Sequence, residues 1–147
     1  MSLPFTQLYI DGEWRPASNG ATYDVLRAGS TEIVGTAAAA TASDCAAAID
    51  AATRAFPAWE RTHPNARRDI FLRAADIIAA KKYRAEVIAA CIEEVGSTAE
   101  MTGALYDAQV NALRGYAGLV VQMKGEVFPS IVPGGQAFGY RRAFGAV

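Results

Sequence analysis

The side chains of this chain that could do chemistry are few and scattered. Two cysteines, Cys45 and Cys91, are the only thiols, and His63 is the only imidazole. A thiolate nucleophile needs a base or a helix N-terminus beside it. Cys45 falls in the first turn of an alanine-rich helical pattern, which would lower its pKa, yet both cysteines sit where a small apolar residue would serve, and the reading for each is structural. His63 stands at a helix start and reads as a local cap or surface residue more than as a catalytic base. Glu93 and Glu94 are adjacent on a helix, and adjacent helical residues do not converge on one point, so they read as a solvated face. Arg67 and Arg68 offer an anion site in principle, but helical arginines off an apolar stripe are usually solvated or ion-paired. Tyr106 and Tyr116 read as packing. Gly134-Gly135 lacks the strand before and helix after that a dinucleotide fingerprint requires, and reads as a tight turn.

The bulk composition narrows the classes further. The chain has 147 residues, enough for one domain with a real core. Apolar residues are 52% and charged residues 20%, which fits a globular chain and excludes a disordered one. A net charge of -1 with both signs interspersed leaves no basic tract for nucleic acid. With one histidine and no CxxC, metal binding has almost no ligands to draw on. No signal-peptide pattern opens the chain and no apolar run reaches membrane-spanning length, so a cytoplasmic location is expected.

The elements that position these residues are organised around Pro64 to Gly96. Ile70, Phe71, Ala74, Ala75, Ile77 and Ile78 recur at three- and four-residue spacing, as in a helix that buries one face. Lys81-Lys82-Tyr83 is a candidate break dividing this stretch into two helices. Upstream, Asp11-Gly12 between Leu8–Ile10 and Glu13–Arg15 predicts a hairpin. Thr22–Leu26 and Glu32–Thr36 read as two further short strands, a surface ribbon rather than a self-sufficient sheet. Ser43 is the expected N-cap of a helix carrying Ala48, Ile49, Ala52, Ala55, Phe56 and Trp59 on one face, with Pro57 ending or bending its last turn. Ser97 or Thr98 opens a third helical segment whose stripe is Met101, Leu105, Ala108, Ala112, Leu113, Tyr116, Val120 and Met123. Gly115 and Gly118 inside it predict close approach by another backbone. After Gly125 the chain reads as extended, with a strand from Ala137 to Phe144. It stops in the apolar run Gly145-Ala146-Val147, which predicts truncation of a longer chain.

Residue chemistry alone therefore gives scaffold, but the order of pieces is particular. LYIDGEW, then EIVGTAAAATASDCAAAIDAATRAFPAWERTHPNARRDIFLRAADII, then EEVGST, YAGL and GEVFPSIVPG…YRRAFGAV resemble the N-terminal portion of an NAD(P)-dependent aldehyde dehydrogenase, from about Leu8 to Val147. The resemblance implies an α+β, helix-dominated fragment of an α/β fold: a short N-terminal ribbon, three helical segments and a C-terminal arm. It implies that residues 1–124 are the ribbon and outer helices of a cofactor-binding domain and residues 125–147 the first arm of an oligomerisation domain, with the catalytic domain absent. The family oxidises an aldehyde through a cysteine thiohemiacetal, passes hydride to NAD or NADP, and deacylates with a glutamate base. None of those residues maps here, so no catalytic, cofactor-binding or metal residue is expected in this chain, and the fragment by itself is expected to be inactive and to hold no cofactor. The family's Pro-Trp-Asn segment would begin just past Val147.

Within the family, EEVGST and GEVFPSIVPGG resemble the branch acting on benzaldehyde, vanillin and salicylaldehyde. The resemblance places Ala108 in the substrate tunnel, at a position often held by methionine, where a small residue leaves room for a ring; plain helix packing is the other reading of Ala108. The partners implied are a small aldehyde and further copies of the chain, joined through residues 125–147, with neither nucleic acid nor membrane. The competing reading is a stand-alone helical interaction or oligomerisation module without enzymatic activity. A third, an enzyme using Cys45 or Cys91, predicts thiol labelling in the folded state.

Overall fold

The computed structural model describes residues 5–147. Its strands are β1 Phe5–Thr6, β2 Leu8–Ile10, β3 Glu13–Arg15, β4 Thr22–Leu26, β5 Ile33–Ala38, β6 Glu126–Pro129 and β7 Gln136–Gly139. Four helices, α1 Ala42–Arg61, α2 Pro64–Ile78, α3 Lys81–Val95 and α4 Ala99–Val120, lie between β5 and β6. The result is the expected helix-dominated α+β chain.

The turn chemistry does what the residues demand. Asp11 and Gly12 take φ values of 56° and 83°, and β2 and β3 pair antiparallel across them, Ile10 opposite Glu13. This is the positive-φ pair that a two-residue hairpin needs. β4 pairs antiparallel with β5, and β1 joins the other side of β5 in parallel, Phe5 opposite Thr36. The ribbon is thus a three-stranded sheet in the order β1-β5-β4 beside a separate hairpin. Strand β1, two residues long, carries no alternation to announce it; its partner lies some thirty residues on.

Helix boundaries differ from expectation at three points. The N-cap of α1 is Thr41, not Ser43: its hydroxyl accepts from the Asp44 N–H while the Asp44 carboxylate accepts from the Thr41 N–H, a reciprocal capping box. Pro57 does not end α1, which runs on to Arg61. Proline has no N–H for the Thr53 carbonyl, but Thr53 is exposed, so that carbonyl is open to solvent. The long stretch divides into two helices, as the candidate break anticipated, but just before Lys81-Lys82-Tyr83, so the helical segments number four rather than three. They part at Ala79 and Ala80, where Ala80 adopts extended backbone (φ -62°, ψ 133°). Pro64 occupies the first turn of α2, and the His63 Nδ1 accepts from the Asn65 N–H, the capping role expected of it. Gly96 ends α3 in the left-handed conformation at φ 72°.

Packing is thin. α4 lies chiefly against α2 and less extensively against α3, while α1 touches β2. The buried apolar residues are Ile10, Ala17, Ala37, Ala38, Ala51, Ala75, Val110 and Ala117, mostly alanines. Among the described residues no large side chain is fully buried. Two apolar stripes are rotated from their predicted places. In α2 the inward residues are Phe71, Ala74, Ala75 and Ile78, joined by half-buried Arg67 one turn before Phe71, whereas Ile70 and Ile77 face out. In α4 the inward face is Thr102, Gly103, Tyr106, Val110, Leu113 and Ala117, while Met101, Leu105 and Tyr116, and Met123 just beyond the helix, are each about 60% exposed.

Among the described residues the expected close approach to Gly115 and Gly118 is absent, since a Cβ built on either would meet none of them within 4 Å. The C-terminal strand is shorter than predicted. β7 ends at Gly139, and residues 140–147 have no regular structure. β6 and β7 pair with each other, Val127 opposite Phe138 and Phe128 opposite Ala137, around a turn closed by the Gly135 N–H on the Val132 carbonyl at 2.9 Å.

Candidate functional site

The side chains of α4 are held from two sides. Thr98 caps the helix, its hydroxyl accepting from the Met101 N–H at 3.2 Å. The Tyr106 hydroxyl donates to the Ile78 carbonyl at the end of α2. That carbonyl belongs to the last turn of a helix, where the α2–α3 break leaves acceptors without helical partners, and Tyr106 supplies one donor. From the other side, Arg84 of α3 makes a two-pronged pair with Asp107, Nε to Oδ1 at 2.9 Å and Nη2 to Oδ2 at 3.0 Å. The pairing raises the Arg84 pKa and lowers that of Asp107, hydrogen bonding being the larger cause in both. Two turns further on, Arg114 reaches Asp76 of α2 at 3.3 Å.

Ala108, the candidate tunnel residue, follows these two anchored residues and is exposed. Between α3 and α4 lies an open apolar groove of about 300 Å³ lined by Val87, Cys91, Val95, Thr102, Leu105 and Tyr106 among others. Ala108 is not part of its lining. Cys91 is half-buried in the groove and Cys45 is exposed in the first turn of α1; neither is in a disulfide. No base faces either thiol at hydrogen-bonding distance among the described residues. Arg68 pairs with Asp69 at 2.8 Å and Glu93 with Arg27 at 3.4 Å, so these charges are ion-paired surface groups, as expected. The Arg27 pair with Glu32 at 2.8 Å raises the arginine pKa and lowers that of Glu32, again chiefly through hydrogen bonding. No cluster of three or more His, Cys, Asp or Glu side chains able to hold a metal occurs among the described residues, and no helix there is long and apolar enough to cross a membrane.

One buried charge was missed as a functional contact. Asp44 lies buried at the foot of α1 and accepts from the backbone N–H groups of Thr41 (2.9 Å) and Ser18 (3.1 Å), and from both hydroxyls. These donors, the Thr41 and Ser18 backbones first, hold its pKa down at about 2. The capping-box spacing from Thr41 to Asp44 was readable in sequence; the Ser18 contact, twenty-six residues away, was not.

The arrangement is a helical layer with exposed apolar faces and, among the described residues, no assembled catalytic group. The aldehyde dehydrogenase family model matches residues 14–147, and the chain belongs to that family. Over 95% of its length it is 39% identical to vanillin dehydrogenase of Pseudomonas fluorescens, covering 28% of that protein. The structure superposes on salicylaldehyde dehydrogenase from Pseudomonas putida G7, solved with salicylaldehyde, with a TM-score of 0.81 at 30% identity, covering 87% of this chain and 26% of that one. It also matches betaine aldehyde dehydrogenase of Staphylococcus aureus, solved with NAD+, with a TM-score of 0.78 at 31% identity, over 87% of this chain and 26% of the other. The chain thus spans about a quarter of the length of these relatives.

Proposed function

We propose that the chain is the amino-terminal part of an enzyme that oxidises an aromatic aldehyde to the carboxylic acid, with NAD or NADP accepting the hydride. The observation that carries this reading is the 39% identity to a vanillin dehydrogenase across nearly the whole chain. In this reading residues up to 124 are the ribbon and outer helices of the cofactor domain, and residues 125–147 are the first arm of an oligomerisation domain that joins copies of the chain. The 147 residues are scaffold; thiol, base and nicotinamide site belong to the remainder, and the whole works in the cytoplasm.

Ala108 borders the substrate in this reading. Its exposure on α4 supports that, because a side chain already buried against α2 or α3 could not face a ligand. The unused apolar residues Met101, Leu105 and Tyr116 fit a helix that is covered on its outer side by more protein.

The test is to express the complete coding frame that contains this segment, and to follow reduced nicotinamide formation at 340 nm with benzaldehyde, vanillin and acetaldehyde, using NAD and NADP in turn. Faster turnover of the ring-bearing aldehydes is expected. A preference for acetaldehyde would remove the aromatic assignment, and no oxidation of any aldehyde would remove the enzyme reading.

A further inference from the structure

Three observations converge on the helical turn before Ala108. The Arg84 guanidinium grips Asp107 through two hydrogen bonds of 2.9 and 3.0 Å. The same guanidinium lies on the bare backbone of Gly103, where a Cβ would come within 2.8 Å of Nη2. Tyr106, the residue before Asp107, is tied to the Ile78 carbonyl of α2. At about 100° per residue, Ala108 then points some 200° around the helix from Tyr106, away from α2. Two consecutive residues are thus fastened to two different helices, and the next one is left open.

Such fastening does little for stability, since Arg84 and Asp107 are both substantially exposed and pairs of that kind are weak. Its geometric effect is larger. A planar fork on a carboxylate fixes direction as well as distance, and Gly103 removes the side chain that would push the fork away. Rotation of α4 about its own axis would break both the fork and the Tyr106 hydrogen bond.

We propose that Arg84 is a positioning residue for substrate selection: held on Gly103 and Asp107, it sets the rotation of α4 and so the depth at which Ala108 meets the aldehyde. The inference rests on the reading that Ala108 borders the substrate. It assigns to α3, which does not itself carry Ala108, a share in choosing the ring.

The experiment measures kcat/KM for benzaldehyde and for acetaldehyde in the complete enzyme carrying Arg84→Ala, Arg84→Lys or Ala108→Met. Arg84→Ala is expected to lower the benzaldehyde-to-acetaldehyde ratio about tenfold, within the span that one methylene of misfit produces, with the change in KM. Arg84→Lys, a point charge without the fork, is expected to recover only part of it. A role in folding alone would lower both substrates together and leave the ratio where it was, and this overturns the proposal. If Ala108→Met shifts the ratio while neither Arg84 variant does, the proposal fails and the reading of Ala108 stands. If Ala108→Met leaves the ratio unmoved, both fail. Should Arg84→Ala not fold, Arg84→Lys against the parent enzyme decides the same question.

Discussion

The Ser18 backbone N–H donates to the Asp44 carboxylate at 3.1 Å, joining the loop after the first hairpin to the first turn of α1. Asp44 serves two structures at once, because it also closes the capping box with Thr41. A buried carboxylate is costly unless its lone pairs are filled, and here donors from two segments fill them.

The sign of its pH dependence follows. The folded pKa of about 2 lies below the ordinary aspartate value near 3.9, so the stabilisation is fully present above about pH 4 and is lost as the pH falls towards 2. An acid titration of the folded chain followed by NMR should therefore show the Ser18 amide resonance moving about a midpoint near pH 2. In Asp44→Asn that transition should vanish. A Ser18 signal that titrates unchanged in the variant would show that another group is responsible. Thr41→Ala tests the other half of the box, with an expected loss of about 1 kcal/mol in urea denaturation.

Tyr106→Phe removes the donor to Ile78 and nothing else of the ring. The expected cost is about 1 kcal/mol, the net worth of one partly buried hydrogen bond. Hydrogen exchange should speed up around Ala79 and Ala80, where α2 passes into α3. Unchanged exchange there would mean that the break is held by the helices alone.

Much of this fold was legible because it is local. The Asp11-Gly12 turn, Pro64 at the first turn of α2 and Gly96 at the end of α3 all depend on neighbours within four residues. The misreadings concern which face of a helix is used. The stripe through Met101, Leu105 and Tyr116 is a genuine apolar stripe in α4, yet α2 packs on a neighbouring face, where Tyr106 reaches the Ile78 carbonyl and Val110 and Ala117 are buried. Periodicity finds an apolar face but does not say which of two faces a given partner takes. In the same way Arg67 lies within the half-buried face one turn before Phe71, where its charge had argued for solvent. The tie from Arg84 to Gly103 and Asp107 was invisible for the opposite reason: each residue is ordinary alone, and only the crossing of α3 over α4 brings them together.

The C-terminal hairpin carries its own prediction. Val127 and Phe138 are cross-strand partners, both more than half exposed, and the outer edges of β6 and β7 have no neighbouring strand among the described residues. Exposed edges with apolar side chains invite pairing with another chain. The 147-residue chain should therefore self-associate in size-exclusion chromatography with light scattering, and Val127→Glu combined with Phe138→Glu should weaken association at least about tenfold, the equivalent of roughly 1.4 kcal/mol. A clean monomer at high concentration would count against the arm as an oligomerisation element.

The two thiols differ in access, which changes what labelling can decide. Cys45 is exposed and will react with a thiol reagent whatever its role; Cys91, half-buried between α3 and α4, should react more slowly. Labelling at Cys45 therefore gives no support to a nucleophile, and loss of function is the better measure. Cys45→Ser and Cys91→Ala in the complete enzyme should leave kcat for an aldehyde within about twofold, far from the loss that follows removal of a covalent nucleophile. A drop of a thousandfold or more in either variant would restore the cysteine as a catalytic candidate.

Gly115 and Gly118 provide a test of what lies over α4. Glycine costs a helix interior about 1 kcal/mol relative to alanine. None of the described residues stands within 4 Å of a Cβ at either site. In the 147-residue chain, Gly115→Ala should therefore raise stability by about 1 kcal/mol, and Gly118→Ala by a similar amount. In the complete enzyme the sign should reverse at whichever site another backbone closes over the helix, because a methyl group would then be forced into a filled contact. The pair of measurements, denaturation of the short chain and of the complete enzyme, separates the two situations without a structure of either variant. Stabilisation in both contexts would show that the outer face of α4 stays open at these glycines. The exposed Tyr116 and Leu119 beside them would then need a covering partner from elsewhere.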